Sequence, residues 1–224
     1  MTPARLETVE LQPQNLEPTA AVIWLHGLGA DGNDFVPIVE ELARLGIPPI
    51  RFVFPHAPQI PVTINAGYVM RAWYDILGVD LVRREDEGGI RRSQAQVEQL
   101  IEREVAAGIP RARIVLAGFS QGGAITLHTG LRQRERLAGL IALSTYLPLA
   151  DVFAAEQEAG SHATPIFMAH GSADPIVPLA RALASRDALV EHGHALEWHE
   201  YPMQHSVCED EVEAIAVFLK RVLA

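Results

Sequence analysis

The sequence predicts an α/β fold with a mostly parallel central sheet flanked by helices. Short apolar runs rich in β-branched and aromatic residues alternate along the chain with longer segments of helical periodicity, the order typical of parallel βαβ units. Each apolar run ends in Gly, Pro or a small polar cluster, as strands do where they meet a loop. The 224 residues are 49% hydrophobic and 21% charged, so one domain spanning residues 1–224 can bury a sizeable core.

Six apolar runs are the predicted parallel strands, because each is short and consists mainly of aliphatic and aromatic residues. They lie at residues 20–26, 50–55, 113–119, 137–144, 165–170 and 196–202. We expect residues 7–11 to add an antiparallel strand at an edge of the sheet. Five segments between the strands have helical spacing of their apolar residues, and they lie at residues 34–45, 92–107, 121–134, 178–192 and 209–223.

Residues 56–89, which we name the flap segment, do not fit this alternation. They number 34, far more than an ordinary connection in a compact domain, and they show neither a helical stripe nor a steady alternation. Two interpretations stay open: the segment covers an exposed sheet edge, or it lines a substrate pocket. The candidate substrate-binding residues are Ile64, Val69, Met70, Trp73 and Leu77.

Charge and cysteine content exclude several classes of protein. The 18 Lys and Arg against 28 Asp and Glu give a net charge of −10, so a nucleic-acid backbone would be repelled. The single cysteine, Cys208, cannot form an internal disulfide, and the first residues lack the apolar core of a secretory signal. Every apolar run is far shorter than the roughly 18 residues expected of a membrane-spanning helix. We therefore expect a cytoplasmic protein with no nucleic-acid partner and no membrane span.

A G-x-S-x-G motif occupies residues 118–122, directly after a predicted strand and directly before a predicted helix. A strand that reverses into a helix within a few residues needs small flanking glycines, and the strained turn lifts the serine hydroxyl clear of the sheet. The helix N-terminus adds free amide donors and a positive dipole beside that oxygen. This context predicts Ser120 as a nucleophile.

A serine nucleophile needs a histidine base, and His205 is the best candidate among nine histidines. It alone lies in a loop that follows a late strand and precedes the last helix. His199 lies within a predicted strand, and His192 and His194 flank a glycine at a helix end, which indicates a solvated C-cap.

The base in turn needs an acid that fixes its tautomer. Asp174 lies four residues past the strand at residues 165–170, in a loop that Pro175 stiffens. Its competitor, Asp151, has the sequence context of a helix N-cap. The predicted order along the chain is therefore Ser120, Asp174, His205.

The nominal dinucleotide motif G-x-G-x-x-G at residues 27–32 follows the strand at residues 20–26. A ribose would require a carboxylate after the next strand, where the chain has Pro55 and His56. Acyl transfer gives the same loop another use, because a tetrahedral oxyanion needs two backbone N–H groups. Leu28 and Gln121 are the candidates for that oxyanion hole.

Other catalytic patterns are absent from the sequence. It has no phosphate-binding G-x-x-x-x-G-K-[ST] loop and no zinc-binding H-E-x-x-H helix, so we expect neither a cofactor nor a metal. We expect His26 and Asp31 to brace the glycine-rich loop without contacting substrate.

Five segments together resemble the carboxylesterase and acyl-protein thioesterase family of small α/β-hydrolases: WLHGLGADGNDF, RAWYDI, AGFSQGGAI, HGSADPIVP and YPMQHSV. The resemblance implies the α/β-hydrolase fold, a Ser120, Asp174 and His205 triad, and an acyl-binding groove shaped by the flap segment. It also implies dimers, which are frequent in the family. One residue departs from the pattern: Gln204 stands before the candidate catalytic histidine, where members often have Gly or Met.

The predicted function is that of a carboxylesterase acting on small-molecule esters with short to medium acyl chains. A chain of this length leaves no room for a separate lid domain, which favours an open site. The alternative is acyl-protein thioesterase or lysophospholipase activity on longer chains, with a lipidated protein among the substrates.

Overall fold

A mostly parallel sheet forms the centre of the computed structural model, which describes residues 5–13, 15–78 and 85–224. The strands within these ranges are β1 (Thr8–Leu11), β2 (Ala20–Leu25), β3 (Ile50–Pro55), β4 (Gln59–Val62), β5 (Tyr68–Arg71), β6 (Ile114–Phe119), β7 (Gly139–Leu143), β8 (Ile166–Gly171) and β9 (Leu196–Tyr201). Seven of them form one sheet in the order β1-β3-β2-β6-β7-β8-β9, and β4 pairs with β5. Only β1 is antiparallel to its neighbour in the large sheet.

Helices cover both faces of this sheet. Those of the described ranges are α1 (Ile38–Arg44), α2 (Glu87–Ala106), α3 (Gln121–Gly130), α4 (Ala150–Glu156), α5 (Ala159–His162), α6 (Leu179–Glu191) and α7 (Glu209–Val222). Along β2, Ile23 and Leu25 join the apolar cluster beneath α2 and α3, whereas Val22 and Trp24 join the one beneath α1 and α7. This alternation explains why the strand is apolar at every position. None of these described helices is long and apolar enough to cross a membrane.

The predicted α/β class and all seven predicted strands of the main sheet are confirmed, with ends that differ by two residues at most. The helix boundaries differ more. Helix α2 begins at Glu87, five residues before its predicted start, because the Asp86 side chain caps it by accepting the Gly89 N–H at 2.9 Å. Helix α1 begins only at Ile38. From Asp31 onwards the chain first forms separate turns, in each of which an N–H donates to the carbonyl three residues earlier.

Two local predictions are wrong. Asp151 is not an N-cap: Leu149 occupies that position of α4 in a left-handed conformation, with φ of 51°, and Asp151 lies in the first turn. His194 is not solvated, because it is 5% exposed and its ring stacks on His162 at 4.8 Å. Helix α5 had no sequence signal of its own, because its 4 residues are too few to show a periodic stripe.

The flap segment contains a hairpin, β4 and β5, that was not predicted. A 3-10 turn at Thr63–Asn65 joins the strands, and Ala66 and Gly67 both have positive φ at the end of that turn. The irregular part of the segment ends at Asp86, since α2 begins at Glu87. Residues 79–84 of the predicted flap lie outside the described residues.

Candidate active site

Ser120 lies in a strained turn between β6 and α3, at the carboxyl edge of the parallel strands. Its φ of 54° and ψ of −119° are rare for a residue with a side chain. Its N–H donates to Leu143 O at 2.8 Å, which ties the turn to β7. A Cβ on Gly118 would lie 2.4 Å from the Gly122 backbone, and one on Gly122 would lie 2.4 Å from Leu25 O. The turn is therefore possible only because both positions are glycine.

The structure brings His205 and Asp174 together, although 31 residues separate them. His205 Nδ1 donates to Asp174 Oδ2 at 2.6 Å, and the Asp174 side chain is fully buried. The other oxygen, Asp174 Oδ1, accepts the N–H groups of Ile176 at 2.8 Å and Val177 at 2.9 Å. Because Nδ1 carries the proton donated to the carboxylate, Nε2 is left as the basic atom of His205.

The aromatic ring of Phe119 joins this pair to the serine turn. The Phe119 and His205 rings lie 4.7 Å apart between centroids, and Phe119 immediately precedes Ser120. Ser120 is partly exposed, and its hydroxyl makes no hydrogen bond to any described residue. The predicted nucleophile, base and acid thus lie at the same edge of the sheet.

The two candidate oxyanion donors flank the serine. The glycine-rich loop passes close to it, since a Cβ on Gly27 would lie 3.5 Å from Ser120 Cβ. Gln121 is the first residue of α3, where a helix leaves its N–H groups unpaired. Neither the Leu28 N–H nor the Gln121 N–H donates to an acceptor in the part of the chain that the structure describes. Both groups are therefore available to a ligand.

The histidine that opens the glycine-rich loop braces it. His26 Nδ1 donates to Gly27 O at 2.7 Å, and its Nε2 accepts the Ala57 N–H at 3.0 Å. Burial lowers the pKa of His26 to about 4, so the ring is neutral and keeps this pattern at physiological pH. Asp31 forms a local turn by accepting the Asn33 N–H at 2.7 Å. Both residues support the loop's shape, as the sequence predicts.

Comparison with known proteins identifies the family. A model of the Phospholipase/Carboxylesterase family matches residues 6–223. The chain belongs to this family. It is 45% identical to acyl-protein thioesterase 1 of Neurospora crassa over 93% of this chain and 89% of that protein, and 40% identical to acyl-protein thioesterase 1 of Gibberella zeae over 94% of each. The crystal structure of Arabidopsis thaliana SOBER1 superposes with a TM-score of 0.84 at 31% identity, covering 92% of this chain and 99% of that one.

This member of the phospholipase/carboxylesterase family is a hydrolase with the α/β-hydrolase fold. Its flap segment carries exposed apolar side chains. Ile64, Val69 and Leu77 of this segment are 41%, 53% and 41% exposed. Met70 is half-buried, and its sulfur would lie 3.7 Å from a Cβ on Gly29 of the glycine-rich loop. The flap surface thus reaches the loop that carries Leu28.

Trp73 does not belong to that exposed surface, contrary to the prediction. It is 2% exposed and lies in the core cluster, and its indole N–H donates to His26 O at 2.9 Å. Some apolar side chains of the flap segment therefore lie in the core and others on the surface. A sequence pattern with no steady period does not distinguish buried positions from exposed ones.

Three polar side chains near the site were missed by the sequence analysis. The Thr145 hydroxyl donates to Ser120 O at 2.6 Å, and His170 Nε2 donates to Val177 O at 2.8 Å while lying 3.5 Å from Asp174 Oδ2. The third is the side-chain amide of Gln121, which contacts the flap segment. A position at the end of a parallel strand was the available signal for Thr145 and His170, since such sites form there.

Proposed function

We propose that this protein is an acyl-protein thioesterase, which removes an acyl chain from a cysteine thioester of a lipidated protein. The observation that carries this proposal is the 45% identity, over nearly the full chain, to a relative named acyl-protein thioesterase 1. The geometry around Ser120 supports the same reaction class, because ester and thioester hydrolysis use the same nucleophile, base and oxyanion donors.

The proposed reaction has two halves. Ser120 Oγ attacks the thioester carbonyl while His205 Nε2 takes its proton, and Asp174 stabilises the imidazolium that forms. The N–H groups of Leu28 and Gln121 hold the oxyanion. The intermediate collapses to an acyl-serine as His205 returns the proton to the departing cysteine sulfur. Water then attacks the acyl-serine with His205 again as base, which releases the fatty acid and restores Ser120.

The acyl chain is expected to lie on the exposed apolar side chains next to this centre. Ile64, Val69 and Leu77 supply such surface from the flap segment, and Ile176, two residues after Asp174, is 61% exposed. An open surface of this kind can receive a chain that is attached to a protein. We propose a single domain that acts in the cytoplasm, a compartment consistent with one unpaired cysteine, Cys208.

A second candidate is the carboxylesterase activity on short to medium chains that the sequence favours, since the family description includes carboxylesterases as well as phospholipases. Two matched substrates separate the candidates: one peptide with a palmitoyl chain on cysteine, and one with the same chain on serine. A series of p-nitrophenyl esters from acetyl to palmitoyl measures chain-length preference.

The expected result is turnover of the palmitoyl-cysteine peptide by the wild type and a loss of about 10⁴-fold or more in Ser120→Ala. A preference for acetyl and butyryl esters, with no release from the cysteine peptide, would favour the carboxylesterase. Turnover that Ser120→Ala leaves unchanged would contradict both candidates.

A further inference from the structure

Residues 71–74 begin with the last residue of β5, and they contact the loop that carries the first oxyanion donor on both sides of Leu28. Arg71 O accepts the Gly29 N–H at 2.9 Å, one residue after Leu28. The Trp73 indole N–H donates to His26 O at 2.9 Å, two residues before Leu28. The position of the Leu28 N–H therefore depends on this short stretch of the flap segment.

The same stretch contacts the second oxyanion donor through a side chain. Gln121 Oε1 accepts the Trp73 N–H at 2.8 Å, and Gln121 Nε2 donates to Tyr74 O at 2.7 Å. A backbone N–H can only donate and a carbonyl can only accept, so the two partners fix the orientation of the amide. Gln121 is 3% exposed, and Trp73 and Tyr74 are each 2% exposed, so water does not replace these bonds.

We propose that the side chain of Gln121 is a positioning residue that aligns the two halves of the oxyanion hole. Its backbone N–H is one donor, and its amide group binds the stretch that holds the loop of the other donor. Four hydrogen bonds through residues 71–74 thereby set the separation of the Leu28 and Gln121 N–H groups. This inference rests on the proposed function, because it assumes that these two groups bind the oxyanion.

The chemistry of the reaction makes such alignment important. Oxyanion donors act when they lie about 2.7–3.1 Å from the position that the charged oxygen takes in the transition state, and deletion of one donor costs about 10²–10³-fold in kcat. A backbone donor cannot be deleted by substitution, but it can be displaced. Replacing the Gln121 amide should displace both donors without removing any apolar surface that binds the acyl chain.

Gln121→Met tests this directly, because methionine has a similar length and makes neither hydrogen bond. We expect kcat to fall about 10–100-fold, less than for the full loss of both donors, while KM stays within about threefold. The matched control is Gln133→Met. Gln133 is also a buried glutamine, 6% exposed, and its Nε2 donates to a backbone carbonyl, Thr129 O, at 3.1 Å, but it lies beyond the far end of α3.

Gln121→Glu is a second variant with a pH signature. A carboxylate can still accept the Trp73 N–H, but it meets Tyr74 O without a proton to donate, whereas the protonated acid can make both bonds. The ratio of its kcat to that of the wild type should therefore rise as the pH falls. A purely structural role for the glutamine would leave that ratio constant in variants that remain folded.

The readouts are the rate at which an alkyl fluorophosphonate labels Ser120, kcat and KM on a thioester, and the thermal unfolding midpoint. Slow labelling and low kcat in folded Gln121→Met, with Gln133→Met within about twofold of the wild type, support the inference. Labelling and kcat of Gln121→Met within twofold of the wild type overturn it. If Gln121→Met does not fold, the pH ratio of Gln121→Glu decides: a rising ratio supports the inference and a constant one overturns it.

If the proposed function is wrong, the wild type gives a different pattern of labelling and thioester cleavage. Wild-type Ser120 that is labelled but cleaves no thioester contradicts the substrate class alone, and the labelling rates still test the positioning role. Wild-type Ser120 that is not labelled at all contradicts both the serine mechanism and this inference.

Discussion

At the scale of single residues, the candidate site depends on Asp174, whose carboxylate has partners at both oxygens. Its Oδ1 accepts hydrogen bonds from two backbone N–H groups, and its Oδ2 accepts one from His205 Nδ1 at 2.6 Å. The loop after β8 therefore fixes the carboxylate, and the carboxylate fixes the imidazole. His170, 1% exposed, supports the same loop through its bond to Val177 O.

Asp174→Asn should abolish most activity while leaving the fold intact. The amide can keep the shape of the loop, but it favours the imidazole tautomer with the proton on Nε2, which cannot act as base toward Ser120. We expect kcat on a thioester or ester to fall about 10³–10⁴-fold. Asp151→Asn is the control, because Asp151 is exposed on α4 and is the competing acid of the sequence analysis. Equal losses in the two variants would contradict the assignment of Asp174.

At the scale of elements, the flap segment combines two environments. Trp73 is packed in the core beneath the site, whereas Leu77, four residues later, is 41% exposed. We therefore expect a substitution at Trp73 to lower stability, and a substitution at Leu77 to change the preference for acyl-chain length. Trp73→Ala should lower the free energy of unfolding by about 3–5 kcal/mol, through lost burial and the cavity it leaves. Leu77→Ala should change that free energy by no more than about 0.5 kcal/mol and shift the preferred acyl length.

Chemical denaturation and rates on esters of increasing chain length measure both effects. Trp73→Phe is a useful companion, because it keeps an aromatic ring in the core but loses the bond to His26 O and part of the buried ring system. Unchanged chain-length preference in Leu77→Ala would show that the exposed flap surface does not bind the acyl chain. A stable Trp73→Ala variant with an altered preference for acyl-chain length would show that Trp73 contributes to substrate binding.

The same elements show how far the sequence predicts the structure. The strands of the large sheet were predictable, because burial on both faces requires continuous apolar runs. The hairpin of β4 and β5 was not, because four-residue strands with Pro61 give no alternation to detect. Ser120 was predictable from local turn chemistry. The bonds from Gln121 to Trp73 and Tyr74 were not, since they join positions 48 and 47 residues apart through tertiary packing.

At the scale of the whole molecule, several buried ionisable groups make stability depend on pH in two directions. Burial lowers the pKa of His26 to about 4, of His128 to about 3 and of His194 to about 4. Unfolding frees these rings to bind protons near pH 6.5, so the folded state loses stability as the pH falls below that value. Burial acts oppositely on Glu211, at the start of α7, and raises its pKa to about 8.

Glu211 therefore sets the alkaline side of the stability profile. The folded chain keeps its carboxyl proton up to about pH 8, whereas the unfolded chain releases it near pH 4.5. Its contribution is fully present below pH 4.5 and is lost as the pH rises to 8, so together with the histidines it predicts greatest stability near pH 6.5. Glu211→Gln, which cannot ionise, should raise the unfolding midpoint at pH 8–9 and leave it nearly unchanged at pH 4.5. Thermal unfolding of both proteins across this range measures the difference, and parallel curves would show that Glu211 is not the group responsible.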